Sequence, residues 1–526
     1  MSLSARAEVV PAPSAEQFSE HIRVLSRQSL AFFAGTIFTT GAGYLFKVYL
    51  ARRLGADALG IYALGMTIIG FMGLLNGPGL HQAAVRFVAT YVAQGQSEYL
   101  RSFLVRSTSL LLGTNVLLSS LVVVFGPSIS EHFYHTKALD PYLSLFALIM
   151  FFSALTTYFG QILVGYKDVL RRTAIANFVG TPLMMGLTIV LIAFGLGLWG
   201  YIFAQVVAAF VVVVLLLQIV WKLTPPAARR LRGQLLPLRG EVWSFSAAAF
   251  GIGALEFLLA QVDKILIGFY ITVREVGIYA VVMAIVAFVP IALQSVNQIF
   301  APTIADLHSR GEGELLGRLF QSLTKSVIGF TLPLTVVLIV FARPVVNVFG
   351  PDFTAGWPVL VIGVVGQLVN CATGSVGYLL LMSGNQKKLL KVQATMTAVM
   401  IIVNIIAIPH WGITGAAAAT ALATIGTNLW SLHEVRVALG LSPYNSGYLR
   451  LLPAAAVTTC ALLLLRHSSA SDKASILFLM IAGICAYAVF AIVAYSIGLE
   501  ENDRVIVRAL WLGLREAARR GYRSAV

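Results

Sequence analysis

The sequence predicts an all-α polytopic membrane protein of about fourteen transmembrane helices, with two parallel six-helix pseudo-repeat lobes around a central cavity and two helices after them. Three observations predict it. The 526 residues are 58% hydrophobic and 11% charged, where soluble domains carry about 25% charged residues. Such a chain cannot cover a surface with polar groups. Uncharged runs of about 20 residues, the length of a helix across a hydrocarbon core, recur from Leu30 to Leu499. A short signature also recurs at a fixed distance.

The runs place spans near residues 30–50, 59–79, 105–126, 141–165, 174–196, 199–221, 243–270, 276–301, 324–343, 356–382, 391–409, 412–433, 448–465 and 475–498. An even number puts both termini on one side. Of the 37 lysines and arginines, 28 fall in the even-numbered loops and the two tails. Seven (Arg52, Arg53, Lys137, Arg274, Arg343, Arg466 and Lys473) fall in the odd-numbered loops. This four-to-one bias makes the even side cytoplasmic. The net charge of +15 is therefore a topology signal and needs no nucleic acid, although it suits anionic lipid. Residues 1–29 read as a cytoplasmic tail ahead of an uncleaved first span, and 499–526 as a basic cytoplasmic tail. Cys371, Cys460 and Cys485 lie in apolar runs and imply no disulfide framework.

Gly60-Ile61-Tyr62-Ala63 recurs as Gly277-Ile278-Tyr279-Ala280, 217 residues on. The same offset pairs Met66 with Met283, Phe103 with Phe320 and Lys47 with Lys264. Spans one to six (30–221) thus read as a copy of spans seven to twelve (243–433), with a basic linker at 222–242 and the last two spans, 434–498, outside the repeat. Six is even, so the copies share one orientation about an axis along the membrane normal, and such halves meet at a central substrate site.

The stretch Ala51-Arg52-Arg53-Leu54-Gly55-Ala56-Asp57-Ala58-Leu59-Gly60-Ile61-Tyr62-Ala63, with Gly79-Leu80 and Val85-Arg86-Phe87-Val88, resembles the start of polysaccharide-biosynthesis flippases. These are the Wzx-type members of the multidrug/oligosaccharidyl-lipid/polysaccharide exporter superfamily. Gln261-Val262-Asp263-Lys264-Ile265-Leu266-Ile267-Gly268-Phe269-Tyr270 and the second Gly-Ile-Tyr-Ala motif resemble it as well. The resemblance implies two six-helix lobes around a V-shaped cavity, a cargo carried on polyprenyl diphosphate, and alternating access driven by an ion gradient or membrane potential. It implies a bacterial plasma membrane and, as partners, lipids, a glycan polymerase and other polysaccharide-assembly proteins.

A lipid diphosphate is anionic, and a lysine at mid-bilayer costs roughly 2.5–3.5 kcal/mol. Lys47 and Lys264 are the basic residues inside spans, at equivalent repeat positions, and could clamp a diphosphate or snorkel to the interface. Arg86 and Arg106 stand at the cytoplasmic entrance, as phosphate guides or topology signals. Glu256 and Asp263 share a helical face with Lys264 and are candidates to couple H+ or Na+. Asp263, beside Lys264, can equally be a neutralised carboxylate. Gln261, Gln294, Asn297, Gln298, Gln367 and Asn370 could meet sugar hydroxyls or act as interhelical glue.

No cofactor is implied, and no catalytic residue or metal ligand is identified. The sequence has no phosphate-cradling glycine loop, no metal-ligand cluster and no nucleophile with its base. A glycan polymerase would need a large external loop, and the longest here is about residues 127–140. The remaining readings are a lipid II flippase or a multidrug exporter of the same superfamily. A drug exporter would favour acids over lysines in its cavity.

Overall fold

The computed structural model describes residues 15–229, 235–468 and 476–497. Nineteen α-helices follow one another along the described chain, and no strand occurs among the described residues. They are α1 (Ala15–Leu75), α2 (Leu80–Ala93), α3 (Ser97–His132), α4 (Leu143–Gly165), α5 (Val169–Ala174), α6 (Thr181–Ala193), α7 (Gly197–Leu223), α8 (Pro226–Arg229), α9 (Gly240–Tyr270) and α10 (Val273–Val286). Then come α11 (Ile291–Ser309), α12 (Gly313–Val340), α13 (Ala342–Asn347), α14 (Trp357–Thr373), α15 (Val376–Met382), α16 (Gln386–Leu439), α17 (Ser446–Leu449), α18 (Leu451–Ser468) and α19 (Ile476–Ile497).

Among the described residues, nine helices are long and apolar enough to cross a membrane, or up to eleven if each bent pair is one span. Two of the nine contain a break. In α1 it falls at Gly55 (φ 78°, ψ 177°), and in α16 at Gly412 (φ 57°, ψ −140°). Both φ values lie where a Cβ is strained, so glycine is required. A Cβ on Gly415 would lie 2.4 Å from the Ala407 carbonyl oxygen. Eight residues of straight helix span about 12 Å, so the chain folds back at Gly412. A count of fourteen treats Gly55 and Gly412 as boundaries and adds the shorter apolar helix Leu451–His467. Pro290, which lacks an N–H to continue a helix, sits where α10 and α11 meet at a 54° bend.

The chain divides into two compact units. The first takes residues up to Lys47, 72–124 and 144–251. Its core is Phe87, Tyr91, Phe103, Tyr158 and Leu216, contributed by α2, α3, α4 and α7. Gly79, which precedes α2, lets the chain approach α9: a Cβ there would lie 2.0 Å from the Ser246 carbonyl oxygen. The second unit takes residues 48–71, 125–143 and 252–526. There Phe300, Ile304, Phe320, Leu379 and Leu432 join α11, α12, α15 and α16. Val337, Phe341, Leu462, Ala482 and Ala486 fasten α18 and α19 to α12.

Between helices in lipid there is no hydrophobic drive, so small residues that permit close backbone contact do the holding. On α16 the buried run Ala416, Ala417, Ala419, Ala421 and Ala423 has this role. A Cβ on Gly366 of α14 would come within 3.1 Å of Ala421.

Candidate functional site

Asp263 lies on α9, whose apolar sequence carries it into the second unit. It is buried, at 6% exposure. Tyr279 of α10, fully buried, donates its hydroxyl to Asp263 Oδ2 at 2.7 Å. Oδ1 accepts the backbone N–H of Lys264 at 2.7 Å. The Thr420 hydroxyl of α16 stands 3.5 Å from the Tyr279 oxygen. Two helices, α9 and α10, therefore meet at one carboxyl group, and α16 reaches the tyrosine that binds it. A buried carboxyl must be hydrogen-bonded or neutral to be tolerated.

Lys264 is the sequence neighbour that could neutralise it, yet its ammonium points elsewhere. Nζ donates to Gln261 Oε1 at 2.8 Å and to the Ala260 carbonyl at 3.3 Å. Consecutive residues on a helix do not face one another. Gln261 thus serves as the acceptor for a lysine inside an apolar helix. Tyr279 is the partner that sequence reasoning missed. It belongs to the second Gly-Ile-Tyr-Ala motif, and that recurrence is the signal that marks it.

Lys47 belongs to the first unit. It is exposed, with its ammonium 4.7 Å from the centre of the Tyr44 ring. Such a contact lowers the cost of a cation in an apolar setting by about 0.5–2 kcal/mol. Arg86 is exposed and stacks over Phe245 at 4.9 Å. Arg106 donates to the Leu235 carbonyl at 2.9 Å, so it fastens the linker to α3. Gln294 is exposed and Asn297 buried, with Asn297 Oδ1 lacking a hydrogen-bond partner. Asn370 donates to Gln367 Oε1 at 2.9 Å along one helix. The side chains of Glu256 and Gln298 lie outside the described residues.

The first unit holds a second polar cluster that the sequence did not announce. Asn76, in the break between α1 and α2, donates to Asn115 Oδ1 at 2.8 Å and accepts from Thr114 at 2.8 Å. Asn115 donates on to the Phe151 carbonyl at 2.8 Å. These bonds close the polar groups of a helix break inside an apolar bundle.

Four of the basic residues in the odd-numbered loops converge on one segment, residues 340–357. Arg52 donates to the Val348 carbonyl at 2.8 Å, and Arg274 pairs with Asp352 at 2.7 Å. Arg343 lies over the Trp357 ring at 5.0 Å, and Arg466 donates to the Val340 carbonyl at 2.6 Å. These cations against the charge bias hold helix ends together. Arg52, Asn347 and Asp352 also line a cavity of about 620 Å³ at that end.

Long apolar helices, some of them broken, with a buried hydrogen-bonded acid and a tethered lysine within one of them, define a polytopic membrane protein. The chain belongs to the polysaccharide biosynthesis protein family, whose model matches residues 49–360. It is 25% identical over 405 residues to the probable low-salt glycan biosynthesis flippase Agl15 of Haloferax volcanii, across 76% of this chain and 80% of that protein. It is 21% identical over 490 residues to the probable flippase AglR of the same organism, across 91% of this chain and 97% of that one. Among solved structures it resembles the lipid II flippase MurJ in its inward closed conformation. The TM-score is 0.69 at 16% identity, across 89% of this chain and 99% of that one.

Proposed function

We propose that the chain is a flippase that moves a polyprenyl-diphosphate-linked oligosaccharide from the inner to the outer leaflet of the plasma membrane by alternating access, for cell-surface polysaccharide assembly. The observation that supports this reading is similarity along most of the chain to a probable low-salt glycan biosynthesis flippase and a probable flippase. In this reading the protein is a transporter rather than an enzyme. Its termini are cytoplasmic, as the lysine and arginine bias favours. Lys47 and Lys264 receive the diphosphate, and polar side chains such as Gln294 and Asn297 receive sugar hydroxyls. Glu256 or Asp263 couples the cycle to H+ or Na+. A glycan polymerase then consumes the delivered lipid.

The test is reconstitution into liposomes with a fluorescent polyprenyl-diphosphate oligosaccharide. Protein-dependent flipping, lowered at least about tenfold in the Lys47→Ala/Lys264→Ala double variant, supports the reading and its paired cations. Flipping that survives in the double variant keeps the function and reduces both lysines to interface anchors. A second reading, transport of lipid II, is favoured by the fold likeness to MurJ. Flipping of lipid II with no flipping of the longer glycan lipids would select it.

A further inference from the structure

The two glycines of the repeated Gly-Ile-Tyr-Ala motif touch each other's helices. A Cβ on Gly277 would stand 2.0 Å from the Ala56 carbonyl oxygen and 2.7 Å from the Gly60 nitrogen. A Cβ on Gly60 would stand 1.9 Å from the Val273 carbonyl oxygen. Ala56 and Val273 are also 217 residues apart. Each motif glycine therefore lies on the carbonyl of the residue four before the other motif glycine. A contact that obeys the internal repeat in this way lies where the two halves of the repeat meet. By the charge bias it lies on the outward side, just past the Gly55 break of α1 and near the start of α10.

Asp263 is tied to one of the two helices that make this contact. Tyr279, two residues beyond Gly277 on α10, is the group that donates to it. Among the described residues the titratable groups facing the carboxyl are Lys264, from its own helix, and Tyr279, while α16 offers Thr420. The Lys264 ammonium is held by Gln261 and Ala260. With the contact closed, the carboxyl is enclosed with a hydroxyl donor and without an ion pair. A charge is tolerated poorly in such a place, and the neutral acid well.

We propose that Asp263 is the proton site of the transport cycle, and that loading it with a proton from the outer side closes the Gly60–Gly277 contact. The inference deepens the flippase reading and rests on it. The step is a simple protonation. A proton from external water joins a carboxylate oxygen of Asp263 and forms the neutral acid. The Tyr279 hydroxyl goes on donating to the other carboxyl oxygen, as it does with the contact closed, and holds α10 to α9. Opening reverses the step, and the proton leaves to water.

The experiment uses the full chain in phosphatidylethanolamine and phosphatidylglycerol liposomes, with native cysteines replaced. Spin labels are placed at Asp57→Cys and Arg274→Cys, the repeat-equivalent neighbours of the contact. Pulsed dipolar spectroscopy measures their separation at about pH 5 and about pH 8. The expected result is a short-distance population at least about threefold larger at the lower pH. Asp263→Asn, which resembles the protonated acid, should hold the short distance at both. Tyr279→Phe keeps the carboxyl and removes the tie between α9 and α10, so the short-distance population at the lower pH should shrink. A wild-type distance that ignores pH overturns the proposal, as does pH dependence that survives in Asp263→Asn or a Tyr279→Phe short-distance population equal to the wild type's. Flipping is followed in the same liposomes. Closure that follows pH without glycan-lipid flipping removes the flippase reading alone, and flipping with pH-blind closure removes this inference alone.

Discussion

Replacing Gly277 with alanine tests the contact on which the closure depends. The added Cβ would lie 2.0 Å from the Ala56 carbonyl oxygen. Carbon and oxygen in the closest ordinary contacts stand about 3.3–3.6 Å apart, so α10 and α1 would have to separate by more than about 1 Å. Both partners are backbone, and no side chain can swing aside. Overpacking of this kind costs about 1–3 kcal/mol, a factor of roughly 5 to 150 against the closed arrangement. Alanine also favours a helix interior by about 0.5–1 kcal/mol over glycine. That gain is present whether the contact is open or closed, so it does not shift the balance. The double-labelled protein should therefore lose its short distance at every pH, with its melting midpoint little changed. Gly60→Ala should behave alike. Combining the two should add little, because both act on one contact. Gly73, on the same helix as Gly60, has nothing within 4 Å of a built Cβ, so Gly73→Ala is the control that leaves the distance unchanged. A Gly277→Ala protein with the wild-type short distance would refute the reasoning.

Other expectations follow from single contacts. Asn115→Leu strands the Asn76 amide in a buried break, at about 1–3 kcal/mol. Differential scanning fluorimetry in detergent should show a lower midpoint, and Asn76→Leu added to it should recover part of the loss, because no lone polar partner then remains. Arg106→Ala removes one exposed hydrogen bond to the Leu235 carbonyl, worth about 1 kcal/mol or less. Flipping in that variant should stay within about twofold of wild type; a loss beyond about tenfold would make Arg106 a substrate contact instead.

The parts legible in the sequence were those governed by local rules. Helix length, charge bias and the 217-residue repeat each depend on residue type and spacing alone. They announced the membrane helices, and they singled out the Gly-Ile-Tyr-Ala motif without saying what it does. Asp263 shows why the rest was harder. Adjacency suggested Lys264 as its counter-ion, but neighbours on a helix point about 100° apart, and the lysine reaches back three residues to Gln261. Its actual partner, Tyr279, is sixteen residues away and across a helix junction. No periodicity reports such a pairing, because it exists only once α9 and α10 are packed. The Asn76–Asn115 bond has the same origin: an amide in a helix break is satisfied by whichever helix packs over it.

The glycines join the two levels. Gly55 and Gly412 are needed for their own backbone angles, a local property. Gly60 and Gly277 are helical and could be any residue until the other motif's helix arrives. That the same four-residue motif supplies both sides of one backbone contact, and that its tyrosine then holds the buried acid, ties the repeat to the chemistry. In the proposed cycle the closure lies where the two copies of this motif touch. An acid present in only one copy, since Phe46 stands at the equivalent position of Asp263, gives that otherwise symmetric contact a single proton to answer to.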